Sequence, residues 1–302
     1  MDKKFLEIEE KRKNFYEKYQ VQFKKGLIIG IPILIGVIAL FFILDTNPAV
    51  FIIGFILMIW PGTFMIKAYN IAHKYKDIIK NDFIKLILED KFEDTHYDRH
   101  GSISQSLIDS TGMVKRPDKF SGEDYIRGKI GSVSFEASDV TLRERREHVD
   151  SEGRRTVTYP VYFKGRWYVL NFPKKLKGTI KVGESYPVNR RGLEKFETES
   201  IMFNKKFRSF TSDKQFAFYM LNPLIIENLL KLERKKGGSI YFYYSGNQLH
   251  IGVNDRKDYL EMKISTPINE STIKDFEQDF DIIPAIIRDL KLNSSKFKKL
   301  EE

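Results

Sequence analysis

Asp94, His96, Asp98 and His100 alternate carboxylate and imidazole along one short stretch. On a helix, His96 and His100 would share a face, the spacing by which two imidazoles reach one metal ion. A closed site takes about four ligands, and the sequence has no cysteine and no second histidine cluster to complete one. The stretch therefore reads as a polar junction between elements, with no metal and no cofactor expected. His73, His148 and His250 stand alone and read as surface or core residues. Glu123 and Asp124 precede Gly128. Paired carboxylates beside a glycine have the composition of an acid–base site, but the same residues also open a strand out of a turn, which needs fewer assumptions. No phosphate-binding glycine loop, dinucleotide fingerprint, nucleophile elbow or His-Glu-x-x-His is present.

The other charged groups are basic. Arg143, Arg145 and Arg146 lie on one arm of an expected hairpin, and Arg154 and Arg155 on the other. Lys174, Lys175 and Lys177 form a second group; Lys205, Lys206 and Arg208 form a third. Beside an anionic leaflet each such residue contributes about 1 kcal/mol. Glu144, Glu147, Asp150 and Glu152 dilute the hairpin group, so the alternative is a solvated tip and solvated loops. The chain carries a net charge of +10. A basic balance of this size serves an anionic membrane surface, nucleic acid or plain solubility. The membrane surface is preferred and nucleic acid set aside, because the chain carries a membrane segment of its own.

That segment is the clearest element. Residues 26–44 and 49–66 contain no charged side chain. A bilayer core of ~30 Å takes about 20 apolar residues of helix, and somewhat shorter runs are tolerated. The linker, Asp45-Thr46-Asn47-Pro48, is too short for anything but an antiparallel hairpin. Lys24 and Lys25 precede the first run, Lys67, Lys74 and Lys76 follow the second, and the linker has no cation. The positive-inside rule then places both chain ends in the cytosol. Trp60 sits where an interfacial aromatic belt is expected. The first run is too long for a cleaved signal, and no small-residue cleavage motif follows it. Gly26 and Gly30 are spaced for close helix approach, and Pro32 and Pro61 are candidate kinks. The absence of an ionisable residue within either run argues against a transport path.

Four regions follow. Residues 1–25 place Phe5, Ile8, Phe15, Tyr19 and Phe23 at helical spacing, interrupted by Arg12. This amphipathic helix is expected to lie on the membrane, pair with another helix or pack on the protein's own stalk. Residues 26–66 are the membrane hairpin. Residues 67–95 are a helical stalk with a stripe of Ile71, Tyr75, Ile78, Phe83, Leu86 and Ile87, possible as one helix with the second span. Residues 96–302 are a cytosolic domain large enough to bury its own core. The absence of cysteine excludes disulfides and thiolate chemistry.

Within that domain, 101–121 is rich in Gly, Ser and Asp and reads as irregular. Val133, Phe135 and Ala137 alternate as in a half-buried strand. Residues 139–147 and 156–163 are expected to form a hairpin, with further strands at 166–172 and 179–183. Ser212 and Gln215 suggest a capping box, and Asn222 with Pro223 a second helix start. Gly237 and Gly238 end that helix. A meander of 239–244, 248–253 and 258–264 is expected, then helix over 271–293 broken near Pro284.

The ordered segments Glu123-Asp124-Tyr125-Ile126-Arg127-Gly128, Tyr159-Pro160-Val161-Tyr162-Phe163-Lys164-Gly165, Phe203-Asn204-Lys205-Lys206-Phe207, Ser212-Asp213 and Leu221-Asn222-Pro223 resemble a bacterial family catalogued only as a domain of unknown function. The resemblance covers roughly residues 70–265 and implies the same layout, a two-helix membrane segment followed by a cytosolic domain. The family carries Thr where this chain has Asn222, one helix cap in place of another. It implies no activity and no functional residues.

The fold class expected is α+β: an N-terminal transmembrane hairpin plus a mainly antiparallel cytosolic domain with packed helices. The function expected is a membrane-tethered binding or scaffolding module in a bacterial plasma membrane, whose partners are the bilayer, anionic inner-leaflet lipid, another protein or a second copy. The alternative is a membrane-anchored enzyme whose site no motif reveals.

Overall fold

A computed structural model describes residues 3–43, 48–236, 238–294 and 297. The linker residues 45–47, Gly237 and the last residues of the charged tail lie outside the described residues. The chain divides into two compact units, residues 1–84 with 262–274, and residues 85–261 with 275–302.

In the first unit, helix α1 (Lys3–Ile43) runs unbroken from the basic N-terminal segment into the first apolar run. Helix α2 (Pro48–Tyr75) carries the second run and continues through a π-helical turn, Lys76–Lys80, into α3 (Asn81–Lys91). Both helices are long and apolar enough to cross a membrane, and only 11% and 17% of their apolar windows are buried. A core helix of a water-soluble protein would bury most of such a window.

The two helices pack antiparallel. A Cβ on Gly54 would lie 2.6 Å from Val37 Cγ1 and 2.9 Å from its Cγ2, so glycine lets the stiff valine of the facing helix approach; at Gly26 the close atom is the sulfur of the flexible Met65 side chain, at 2.8 Å. The same register continues beyond the apolar runs, where Phe15 meets Tyr75 and Phe5 meets Phe83. The amphipathic N-terminal segment therefore packs on the protein's own stalk, one of the three arrangements expected for it.

Segment 262–274 joins this unit through two buried side chains of α1. Arg12 Nη1 donates to the Ile264 carbonyl at 2.7 Å, and Glu9 Oε2 accepts from the Ile268 amide at 2.8 Å. Arg12 and Glu9 are themselves paired twice, at 2.7 and 2.8 Å. Burial works against the Glu9 carboxylate, but Arg12 and the Ile268 amide outweigh it and hold the carboxyl below its usual range.

The second unit is built on antiparallel strands. These are β1 (Glu93–Asp98), β2 (Lys119–Ile130), β3 (Val133–Arg143), β4 (Arg146–Val149), β5 (Arg155–Thr158), β6 (Val161–Gly183), β7 (Glu194–Phe196), β8 (Arg208–Thr211) and β9 (Ser239–Asn254). Seven of them form one sheet in the order β1-β2-β3-β6-β8-β7, with β9 paired to β6; β4 and β5 form a separate ribbon. The helices are α4 (Gln105–Ser110), α5 (Ile201–Lys206), α6 (Lys214–Met220), α7 (Pro223–Lys236), α8 (Glu270–Phe280) and α9 (Ile282–Asp289). The architecture is mixed helix and antiparallel sheet, as expected.

The strand β6 organises the sheet. Its first half lies between β3 and β9, its second between β8 and β9, with the register shifting between Asn171 and Thr179. The segments expected separately at 166–172 and 179–183 are thus two halves of one strand. Its long partner β9 replaces the expected turn at Ser245-Gly246-Asn247, because Gly246, at φ +64°, absorbs the local bend while pairing to β6 continues on both sides. The third strand expected at 258–264 is absent; turns occupy that stretch.

On one face of the sheet, Leu142, Phe163, Trp167 and Val169 pack with Ile103, Ile108 and Met113. On the other, Phe135, Tyr168 and Ile251 are buried, and Phe92 contacts both Phe135 and Phe280. Burying each large apolar side chain is worth about 1.5–3 kcal/mol. The helix starts follow local chemistry. Asn222 Oδ1 caps α7 by accepting from the Ile225 amide at 3.1 Å, with Pro223 at its first position. The cap of α6 is Asp213, which accepts from Gln215 and Phe216 amides at 2.8 and 3.2 Å. Ser212, expected in that role, instead accepts from the Thr179 amide on β6. The final helical stretch breaks at Asp281, and Pro284 sits in the first turn of α9, where a missing N–H costs nothing.

Candidate polar cleft

Asp139 on β3 stands opposite Arg166 on β6. Both are in phase with core positions, since Ala137 pairs with Tyr168 and Phe135 with Leu170 on the same face. A charge at such a position must be paired. Arg166 Nε donates to Asp139 Oδ1 at 2.6 Å, and Asp139 Oδ2 accepts from the Tyr259 amide at 2.9 Å. The guanidinium stacks 4.6 Å from the centre of the Tyr259 ring. Burial works against the Arg166 charge; Asp139 outweighs it and keeps the side chain cationic. The Arg166 Nη1 and Nη2 atoms and the Tyr168 hydroxyl are buried without a hydrogen-bond partner among the described residues.

Beside this pair, the β2–β3 ladder is interrupted by a bulge between Glu123 and Ile126. Asp124, at φ +55°, turns its side chain inward and accepts from the Tyr97 hydroxyl at 2.5 Å. Burial and the neighbouring Asp124 charge both push the Tyr97 phenol far up. The turn after β9 is equally constrained, with Arg256 at φ +59° and Leu260 at φ +57°. A Cβ on Gly165 would lie 2.1 Å from the Val253 carbonyl oxygen, so that crossing admits only glycine. Backbone strain of this kind persists where the surroundings over-determine it and gathers at functional sites.

These elements enclose a polar cleft of about 240 Å³, lined by His100, Ser121, Glu123, Asp139, Thr141, Lys164, Lys257 and Asp258. It mixes both charge signs with two hydroxyls. Lys164 is paired to Asp258 at 3.1 Å, and Ser121 Oγ accepts from Arg143 at 3.2 Å, a cation and not a base. Asp139 is committed to Arg166 and an amide. The arrangement suits recognition of a small polar molecule; the contacts of Asp139 and Ser121 are those of positioning groups, not of an activated nucleophile and its base.

The residues singled out in the sequence are dispersed. Among the hairpin cations, Arg145 pairs with Glu147 at 2.7 Å, Arg146 with Glu144, Arg154 with Asp150 at 2.9 Å and Glu152 at 2.8 Å, and Arg155 with Glu147 at 3.5 Å. Lys174, Lys175 and Lys177 lie in the bent middle of β6, Lys175 and Lys177 exposed. Of the histidines, His96 lies on strand β1, not on a helix, and His100 in the turn after it, where its amide bonds Asp98. Among the described residues no group of three potential metal ligands occurs. His250 is buried, and its Nδ1 accepts from Trp167 Nε1 at 3.3 Å. The Asp139–Arg166 pair leaves no motif in the sequence; its one local signal is a charge at a core-facing position of each strand.

Residues 161–292 match a protein family of unknown function, DUF3137. The match begins at β6 and ends after α9, and it is consistent with the resemblance drawn from the sequence. No curated protein matches the chain. Among solved structures, the mycobacterial trehalose monomycolate transport factor A, TtfA, aligns with 6% identity and a TM-score of 0.37 over 70% of this chain and 93% of that one. Similarity at that level supports no functional argument.

Proposed function

We propose that this protein is a membrane-tethered binding or scaffolding module, held by α1 and α2 in a bacterial plasma membrane with both chain ends in the cytosol. The observation that carries the reading is the pair of long apolar helices, largely unburied, on a chain that also folds a separate seven-stranded unit. The basic side chains of Arg143, Arg145, Arg146, Arg154, Arg155, Lys174, Lys175 and Lys177 are contacts toward anionic lipid or a protein partner under this reading. The lysines carry more of it, since hairpin carboxylates answer the ribbon arginines.

Two experiments test it. A reporter active only outside the cytosol should be silent when fused after Glu302 and active when inserted between Asp45 and Pro48; activity at the C-terminus would reverse the topology. Crosslinking in intact membranes should then recover a discrete partner or a dimer. The polar cleft supports a second reading, an enzyme acting on a small polar substrate. For that reading, exchange of Glu123, Lys164 and Lys257 for neutral isosteres would abolish a turnover while leaving crosslinked partners unchanged.

A further inference from the structure

We propose that the seam between α7 and α9 is a binding site for a single medium-length alkyl chain, the hydrocarbon part of a fatty acid or of a lipid. Such a site lies wholly within the second unit and stands whether or not the hairpin spans a bilayer.

On α7, Ile225, Leu229 and Leu232 recur at helical spacing and make one apolar stripe. On α9 the stripe is Ile282 and Ile286, continued by Leu290. Ile251 of β9, buried and opposite Tyr168, forms the floor between them. The three surfaces do not close on one another. They leave a cavity of about 190 Å³ lined by Leu229, Leu232, Ile251, Ile282, Ile286 and Leu290. Two features hold it open. Ala285 lines it from α9 with a single methyl group. Asn228 Nδ2 donates to the Asp289 carbonyl at 3.0 Å, so the end of α9 is held to α7 by a polar bridge. A smaller cavity of about 70 Å³ shares the Leu290 wall and is lined by Ile225, Leu249 and Phe297. Leu249 and Ile251 share one face of β9, and Ile225 and Leu232 lie about two turns apart. The space is therefore elongated, running for about 10 Å along α7.

Protein interiors are close-packed, and an unfilled void weakens a fold in proportion to its volume. Water does not relieve this one. Its deep walls are hydrocarbon, whereas a buried water needs roughly 2–4 polar partners. Polar groups at the rim are already engaged: Asn228 with Asp289, Lys231 with Glu227 at 2.8 Å and Arg288 with Asp289 at 2.9 Å. An apolar cavity of ~150 Å³ takes up a molecule the size of benzene, and this one has the length for an unbranched chain. Exposed Lys231, Gln278 and Arg288 stand at its mouth, where the polar end of an amphiphile meets donors. Apolar walls with a few polar groups at one end are the composition of a small-molecule site between helices.

The test uses the full chain in nanodiscs of unreactive lipid, with a medium-chain fatty acid that carries a diazirine on its chain. Illumination is expected to label peptides spanning residues 229–232 and 282–286, several-fold less in the presence of excess unlabelled fatty acid. Ala285→Leu, which fills the cavity, is expected to raise the melting temperature and to lower labelling by a similar factor. A second arm places the diazirine in the acyl chain of a disc phospholipid. Seam labelling by the free acid, by the phospholipid or by both supports the site and names the source of the chain. Labelling confined to residues 26–66 overturns the proposal, as does seam labelling that neither excess unlabelled acid nor Ala285→Leu reduces. A higher melting temperature in Ala285→Leu, when neither probe labels the seam of the parent chain, also overturns it, because the space is then a packing void. Should Ala285→Leu melt below the parent, competition by the unlabelled acid decides alone.

Discussion

Arg166 and Asp139 face each other from neighbouring strands with 2.6 Å between Nε and Oδ1, and the arginine side chain is wholly removed from solvent. Such a pair is neutral at best compared with apolar packing, but breaking it leaves a buried charge unanswered. We expect Asp139→Asn or Arg166→Met alone to destabilise the second unit by about 3–5 kcal/mol. Asp139→Asn combined with Arg166→Met should cost less than the sum of the two single changes. Denaturant unfolding followed by the fluorescence of buried Trp167 measures this. Simple additivity of the two single changes would show that the pair is not coupled.

His250 sets an acid limit on the same unit. Burial lowers its pKa from the ordinary 6.5 to about 4, and its Nδ1 must be unprotonated to accept from Trp167. The unfolded chain binds that proton more readily, so the contribution is fully present above pH 6.5 and is lost as pH falls toward about 4. The difference corresponds to about 3 kcal/mol at most. Melting temperature should therefore decline between these limits. His250→Asn, which keeps an acceptor and cannot titrate, should flatten that decline. An equal slope in the variant would assign the acid sensitivity elsewhere.

The Glu9–Arg12 pair should act as a clasp on segment 262–274. Glu9→Gln removes the charge partner of Arg12 and weakens the acceptor of the Ile268 amide. Loss of a charge-assisted contact of about 1.5–3 kcal/mol predicts roughly ten- to hundred-fold faster amide exchange at Ile268. Hydrogen exchange on the full chain in nanodiscs tests this directly. Exchange that rises equally throughout the chain would indicate global loss of stability and no specific clasp.

Asn222 offers a narrower test. Asn222→Ala should cost about 1 kcal/mol by leaving the Ile225 amide unsatisfied, whereas Asn222→Thr, the residue of the resembling family, should cost a fraction of that. Thermal melts of the two variants side by side decide it; equal losses would mean that the cap contributes through packing.

What the sequence determined by itself was everything governed by local rules. The two apolar runs are legible because any uncharged stretch of that length exposes its side chains to whatever surrounds it. The α5–α7 region was legible in part, since Asn222 and Pro223 act on amides a few residues away; even there Asp213 displaced Ser212 as the cap because Ser212 was drawn to the Thr179 amide on β6. Tertiary structure decided the rest. The turn expected at Ser245–Asn247 vanished into β9 because β6, more than 60 residues earlier in the chain, supplied a continuous partner. Nothing in the sequence joins Asp139 to Arg166; the pair exists only because β3 and β6 meet in the register that buries both. The clasp of Arg12 on Ile264 spans 252 residues, and no periodicity or composition reports a contact whose only signal is two side chains meeting after the chain has folded.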